Sequence, residues 1–204
     1  MIYPIVAFGD PVLKTRAKDI PADLPAAELK QLIDDMFATM YHASGVGLAA
    51  PQIGKSVRLF VIDSAPMVGD EDEDEEDQEA AAEADPTEAP VKRAFINPVM
   101  VSETGEEWGF EEGCLSIPGV RETVYRHETI VIRYEDEQRV QHEETFSGMT
   151  ARVIQHEYDH LEGVLFTDHI SSFKKQLIKG KLTRISKGDV NADYRMRFAG
   201  QGRR

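Results

Sequence analysis

His156-Glu157-Tyr158-Asp159-His160 combines the residue types and the spacing needed to hold a metal ion and move a proton. On a helix, positions four apart share a face, so the two imidazoles would point the same way. Two imidazoles one turn apart can grip a single divalent ion, and Glu157 can take a proton from a water beside it. A catalytic site of this kind needs a third protein ligand and an open position. His42, His127, His142 and His169 have no neighbourhood suited to that task and read as ordinary, partly exposed histidines. Cys114 has one. Gly113 precedes it and Leu115-Ser116-Ile117-Pro118-Gly119 follows, a short stretch that lets backbone come close to a ligand. A lone cysteine is also often an inert core residue. Three chemistries therefore stand side by side. One is a zincin-type peptidase, which would need a third ligand downstream. Another is a cysteine hydrolase with Cys114 as nucleophile. The last is a structural metal module in which Glu157 is idle.

The elements that must position these residues are legible in part. Leu29, Leu32, Ile33, Met36, Phe37, Met40 and Tyr41 form one apolar stripe of helical period, which predicts a helix over 24–42 stopped by Ser44-Gly45. A small, glycine-rich run with one long polar side chain, Gln52, follows at 45–54. Val57–Ile62 and Ala94–Ile96 read as strands, as do Thr129–Tyr134 and Val140–Phe146 around a polar turn. Gly148–Glu162 reads as the helix that carries the two histidines, with Gly163 at its C-cap. Arg152 lies in a mostly apolar part of it, and its stem is expected to cover apolar surface with the guanidinium outside. A last helix is expected over Ser171–Ile185, weakened by Gly180.

Charge divides the chain. It has 204 residues, 23 basic and 37 acidic, for a net charge of −14. Asp70–Glu88 holds 12 acidic residues and no basic one, while the last 34 residues hold 10 basic and 2 acidic. Residues 69–90 form a low-complexity acidic insertion between two strands, and a solvated loop is its expected state. Residues 171–204 form a basic helix and tail. The chain otherwise reads as a single domain, 1–204. Overall acidity argues against DNA binding. No run approaches the roughly 18 apolar residues of a membrane span. One cysteine excludes an internal disulfide and fits a reducing compartment, the cytoplasm. The N-terminus, with no basic region ahead of its short apolar run, does not read as a signal peptide.

Three segments together carry a resemblance. Gly45-Val46-Gly47-Leu48-Ala49-Ala50-Pro51-Gln52, Glu111-Glu112-Gly113-Cys114-Leu115-Ser116-Ile117-Pro118 and Gln155-His156-Glu157-Tyr158-Asp159-His160-Leu161-Glu162-Gly163 resemble, in order and spacing, the three signature motifs of the peptide deformylases. The stretch from Ile5 to Leu13 is similar to that family's start, and the likeness extends to about Ile185.

The resemblance implies an α+β fold, mainly antiparallel strands around a central helix carrying the His-Glu-x-x-His motif. It implies a hydrolase that removes the formyl group from the N-terminal methionine of newly made polypeptides. Cys114, His156 and His160 would be the metal ligands, around Fe²⁺, with Zn²⁺, Ni²⁺ or Co²⁺ as substitutes. Glu157 would be the acid/base. Gln52 and the Leu115 N–H would stabilise the oxyanion. Val46, Gly47 and Gly113 would line the peptide cleft, and Glu112 and Arg121 would form a charged pair beside the methionine pocket. Some members contact the ribosome through a basic C-terminal helix. Lys174, Lys175, Lys179, Lys181, Arg184 and Lys187 would serve that purpose here, against the alternative of a solvated helix with a frayed end.

Overall fold

A computed structural model describes residues 1–68 and 86–200. Most of the acidic segment at 69–90 therefore lies outside the described residues. In chain order the elements are β1 (Ile5–Val6), α1 (Ala26–His42), β2 (Gly47–Ala49), β3 (Leu59–Asp63) and the short α2 (Ala65–Val68). Then come β4 (Lys92–Cys114), β5 (Ile117–Glu135), β6 (Gln141–Ser147), α3 (Gly148–Glu162), α4 (Ser172–Ser186) and β7 (Met196–Arg197).

The α+β class holds. Strands β2 to β6 form one antiparallel sheet in sequential order, with β2 at one edge and β6 at the other. β3 explains the layering. Its alternate residues face opposite ways. Leu59 and Val61 pack with Leu29, Ile33, Met36 and Met40 of α1. Phe60 and Ile62 pack with Ala151, Ile154 and Leu161 of α3. The sheet is thus covered by α1 on one face and α3 on the other. Phe60 stacks on Phe95 at 4.7 Å between ring centres, and Phe95 meets Tyr134 at 4.4 Å with the rings tilted by 46°. A third apolar cluster joins β1, the start of β5 and α4 through Val6, Ile117, Val120, Phe166, Ile178 and Ile185.

Three features depart from expectation. Ala94–Ile96 is only the first part of a 23-residue strand, and Thr129–Tyr134 only the last part of a 19-residue partner. Together they make a long hairpin whose tip is the two-residue connection Leu115-Ser116, closed by the Cys114–Ile117 pair. Much of the β4 arm between Val99 and Gly109 is exposed, so no apolar alternation marks it in the sequence. Arg152 does not put its guanidinium outside: it is 3% exposed. Met196–Arg197, well beyond α4, are not frayed, because they form β7 and pair in parallel with β1.

Candidate active site

α3 brings the chemistry to the inner face of the sheet. Its C-cap glycine, Gly163, adopts a φ of 74°, and a Cβ there would meet the Lys14 carbonyl carbon at 2.8 Å. Glycine therefore ends the helix and lets the N-terminal segment pass close by. His156 and His160 lie one turn apart with ring centres 5.2 Å apart. The hairpin tip delivers Cys114 from the other side. One ligand atom from each of Cys114, His156 and His160 can be chosen so that all lie within 4.8 Å of one another. The Cys114 Sγ is 3.3 Å from His160 Nε2. The Gln52 amide, 1% exposed on the turn after β2, donates to the same sulfur at 3.4 Å. Its oxygen accepts from the Ala49 N–H at 2.7 Å, which fixes which end of the amide faces the site.

Burial and neighbouring charges shift the ionisation of Cys114, His156 and Glu157. Burial opposes ionisation of the Cys114 thiol, but His160 and His156 outweigh it and bring its pKa down to about 5. His156 is pushed well above its ordinary value: burial opposes this, while Cys114, Glu112 and Glu157 favour it. Glu157 is 4% exposed, and burial raises its carboxyl to about 7 against the pull of both imidazoles. Its Oε2 has no hydrogen-bond partner among the described residues. Gly47 is as close as a residue can come: a Cβ there would lie 2.4 Å from Glu157 Oε1. A soft thiolate, two imidazoles and an orphaned carboxylate oxygen fit a divalent transition-metal ion and a proton-bearing molecule beside it.

Behind the ligands lies a buried ionic network. Glu112 accepts from Arg126 Nε at 2.7 Å and Nη2 at 3.0 Å, from Arg152 Nη1 at 2.8 Å and from His156 Nδ1 at 3.0 Å. Arg126 also donates to Asp159 at 2.8 Å, and Asp159 receives His169 Nε2 at 2.8 Å. Arg152 stacks on Trp108 at 4.0 Å and donates to its carbonyl at 2.6 Å. The expected Glu112–Arg121 pair does not form. Register sets Gly113 opposite Arg121, so Arg121 is on the other face of β5 from Arg126. Sequence reading assigned no role to Arg126, Asp159 or Trp108, and His169, expected as an ordinary partly exposed histidine, is partly exposed and pairs with Asp159. One signal was present: Arg126 falls in the inward series Val120, Val124, Ile130, Ile132, Tyr134, where a charge must be paired.

A cleft of about 810 Å³ opens over these groups. Val46, Gly47, Gly113, Arg121 and Leu115 line it with Gln52, Cys114, His156 and Glu157, and so do Phe110, Met149 and Val153. His160 sits deeper, 1% exposed. β2 borders the cleft with its outer edge unpaired in the sheet.

Comparison with known proteins gives the same answer along most of the chain. Residues 2–176 match the model of the family described as polypeptide deformylase. A peptide deformylase of Christiangramia forsetii is 57% identical over 198 residues, covering 97% of this chain and 96% of the relative. The crystal structure of the Thermotoga maritima peptide deformylase is 40% identical, with a TM-score of 0.67 over 84% of this chain and 99% of that one. A Legionella pneumophila peptide deformylase is 38% identical, with a TM-score of 0.73 over 92% and 96%. Likeness in sequence and in backbone thus leads to one conclusion: the chain belongs to the peptide deformylase family, metal-dependent hydrolases that remove the formyl group from N-formylmethionine.

Proposed function

We propose that this chain deformylates newly made polypeptides with Cys114, His156 and His160 as metal ligands and Glu157 as proton carrier. The carrying observation is the meeting of one sulfur and two imidazoles beside a buried carboxylate oxygen without a partner. A divalent ion on these ligands supplies a Lewis acid and lets a water ionise near neutral pH. Glu157, buried beside these ligands, would accept a proton from that water and return it to the leaving amine. The Gln52 amide and the Leu115 N–H hold the oxyanion, each worth about 2.7–4 kcal/mol. Val46, Gly47 and Gly113 bound the path of the peptide, which adds as a strand to the edge of β2. Arg121 stands at the rim of that path. Glu112 serves behind it, holding His156 by Nδ1, which would leave Nε2 free to hold an ion.

We assign Fe²⁺ as the ion, one per chain, with Zn²⁺, Ni²⁺ or Co²⁺ able to replace it; a thiolate with two imidazoles suits all four. The test is formate release from formyl-Met-Ala-Ser by protein purified without oxygen, with elemental analysis of the same sample. Turnover is expected, and a chelator should abolish it. Turnover that survives complete metal removal would overturn the proposal. We assign the reaction to the cytoplasm as part of the same reading, because newly made polypeptides are its substrate.

The single-domain reading and two appendages belong to the same proposal. The acidic segment is an insertion that leaves catalysis alone. Thr87 and Ala89 hold the start of α3 through the Ser147 N–H and the Thr150 hydroxyl, so a clean deletion stops short of them. Removing Asp70–Glu83 should change kcat/KM by less than about tenfold, and a larger fall would show a catalytic role. The basic helix α4 would contact ribosomal RNA. Lys174 is committed to Glu122, Lys175 to the Asp168 carbonyl and Arg184 to Asp189. Lys179, Lys181 and Lys187 remain exposed, with no ion pair among the described residues. Changing these three to Glu should abolish salt-sensitive co-sedimentation with ribosomes and spare activity on free peptides. Undiminished co-sedimentation would retire the contact.

A further inference from the structure

The chain after α4 returns to the cleft. Residues 189–195 run along its mouth, where Asn191, Ala192, Asp193 and Tyr194 line the wall. β7 then fastens this strap to β1. The Ile5 N–H donates to Arg195 O and the Ala7 N–H to Arg197 O, both at 2.8 Å. The Tyr194 ring packs against the cluster beneath α1. Its hydroxyl donates to the carbonyl of Leu115 at 2.7 Å. Burial, with the charges of Cys114 and Asp193 nearby, keeps this phenol protonated far above its ordinary range, so it remains a donor.

That bond lands on the tip of the β4–β5 hairpin. The tip has only two residues, Leu115 and Ser116. The Ser116 carbonyl is held as well, by the Phe8 N–H at 2.9 Å. Ser116 Oγ is buried without a partner among the described residues, so its side chain does not fix the tip. Two main-chain carbonyls do. One is held from the segment following β1, the other from the strap that runs into β7. The Leu115 carbonyl and the Leu115 N–H lie in adjacent peptide planes joined at the Leu115 Cα, inside a two-residue turn closed by the Cys114–Ile117 pair. Fixing the Leu115 carbonyl therefore restrains the plane that carries the Leu115 N–H.

We propose that Tyr194 is a positioning residue for the reaction, aiming the Leu115 N–H through its bond to the Leu115 carbonyl. The inference rests on the reading that this N–H holds the oxyanion. It gives the C-terminal strap a role in turnover that the three motifs do not contain. A donor aimed in advance is worth more than one that must reorient during the reaction. Loss of the hydroxyl removes one of the two main-chain anchors of the tip, the one on Leu115, and leaves the Phe8 N–H on the Ser116 carbonyl.

The experiment uses the metal-loaded full chain and Tyr194→Phe, which removes one oxygen and keeps the ring. The expected result is a fall in kcat of about tenfold or more, since small displacements of such groups cost that much. KM for formyl-Met-Ala-Ser should stay within about twofold, the signature of an interaction made mainly in the transition state. Binding of the product Met-Ala-Ser, which has no oxyanion, should be unchanged, and the Leu115 amide should exchange with solvent faster. An unchanged kcat would overturn the proposal. So would a fall in kcat matched by an equal weakening of Met-Ala-Ser binding, which would mark a general loosening of the cleft. Wild-type holoenzyme that releases no formate would instead overturn the functional reading itself, before any variant is compared.

Discussion

Glu157→Gln is expected to lower kcat by about 10²–10⁴ while the protein keeps its fold and its metal. The carboxylate is buried among Gly47, Cys114 and the two imidazoles, and one of its oxygens has no partner among the described residues. Glutamine has the same shape and so still fits against Gly47, where no side chain could be accommodated. It cannot accept and return a proton. Metal content should not change, because the three candidate ligands are Cys114, His156 and His160. Thermal stability should be equal or higher, since an unpaired buried carboxylate is retained at a cost to stability. Glu157→Ala removes the proton carrier too, and differs by leaving a space. Formate release and metal content measured on both variants decide the matter. If Glu157→Gln turns over near the wild-type rate, the assignment of the proton carrier is wrong.

How far the sequence led can be argued residue by residue. The apolar stripe of α1 was legible because a helix with one buried face repeats every 3.6 residues. The histidine pair was legible because four residues is one turn of α3. Cys114 was harder, because its meaning depends on standing at the tip of a hairpin that returns over α3. Neither long arm of that hairpin announces itself fully: in β4 acidic and small residues follow one another on an exposed stretch. The ionic network was missed for a related reason. Arg126 and Arg152 look like surface residues one at a time, and only the register of β5 against β4 and α3 makes both neighbours of Glu112. The strap was missed because a two-residue strand such as β7 has no period to detect, and its partner β1 lies at the opposite end of the chain.

That network makes Glu112 the second position where a single change should have a large effect. Glu112, Arg126 and Arg152 are 5%, 5% and 3% exposed. Removing the carboxylate strands the buried Arg152 and leaves Arg126 with Asp159 alone, and breaking such a cluster typically costs about 3–5 kcal/mol. Glu112→Gln should therefore lower stability by an amount of that order, read from urea unfolding at neutral pH. It also replaces the charged acceptor of His156 Nδ1 with one neutral amide oxygen that both arginines contest, and disturbing such a support typically weakens metal affinity about 10–100-fold. The pH dependence has a definite sign. Burial opposes ionisation of Glu112, but His156 and Arg126 outweigh it and hold the carboxyl well below its usual range. A depressed carboxylate stabilises the fold above its unfolded value, near 4.5, and that contribution fades as pH falls toward the folded value. The stability gap between wild type and variant should thus narrow below about pH 4.5. The two roles of Glu112 can be separated. Arg126 keeps Asp159 when Glu112 is changed, whereas Arg152 keeps only carbonyls and the Trp108 ring. Adding Arg152→Met to Glu112→Gln should recover part of the stability by removing the stranded cation. It should leave the metal affinity low, because the charged acceptor of His156 Nδ1 is not restored. Recovery of both together would mean that Glu112 acts on the metal only through packing. Recovery of stability alone assigns its carboxylate two separable tasks, neutralising a buried pair of arginines and holding one ligand in register.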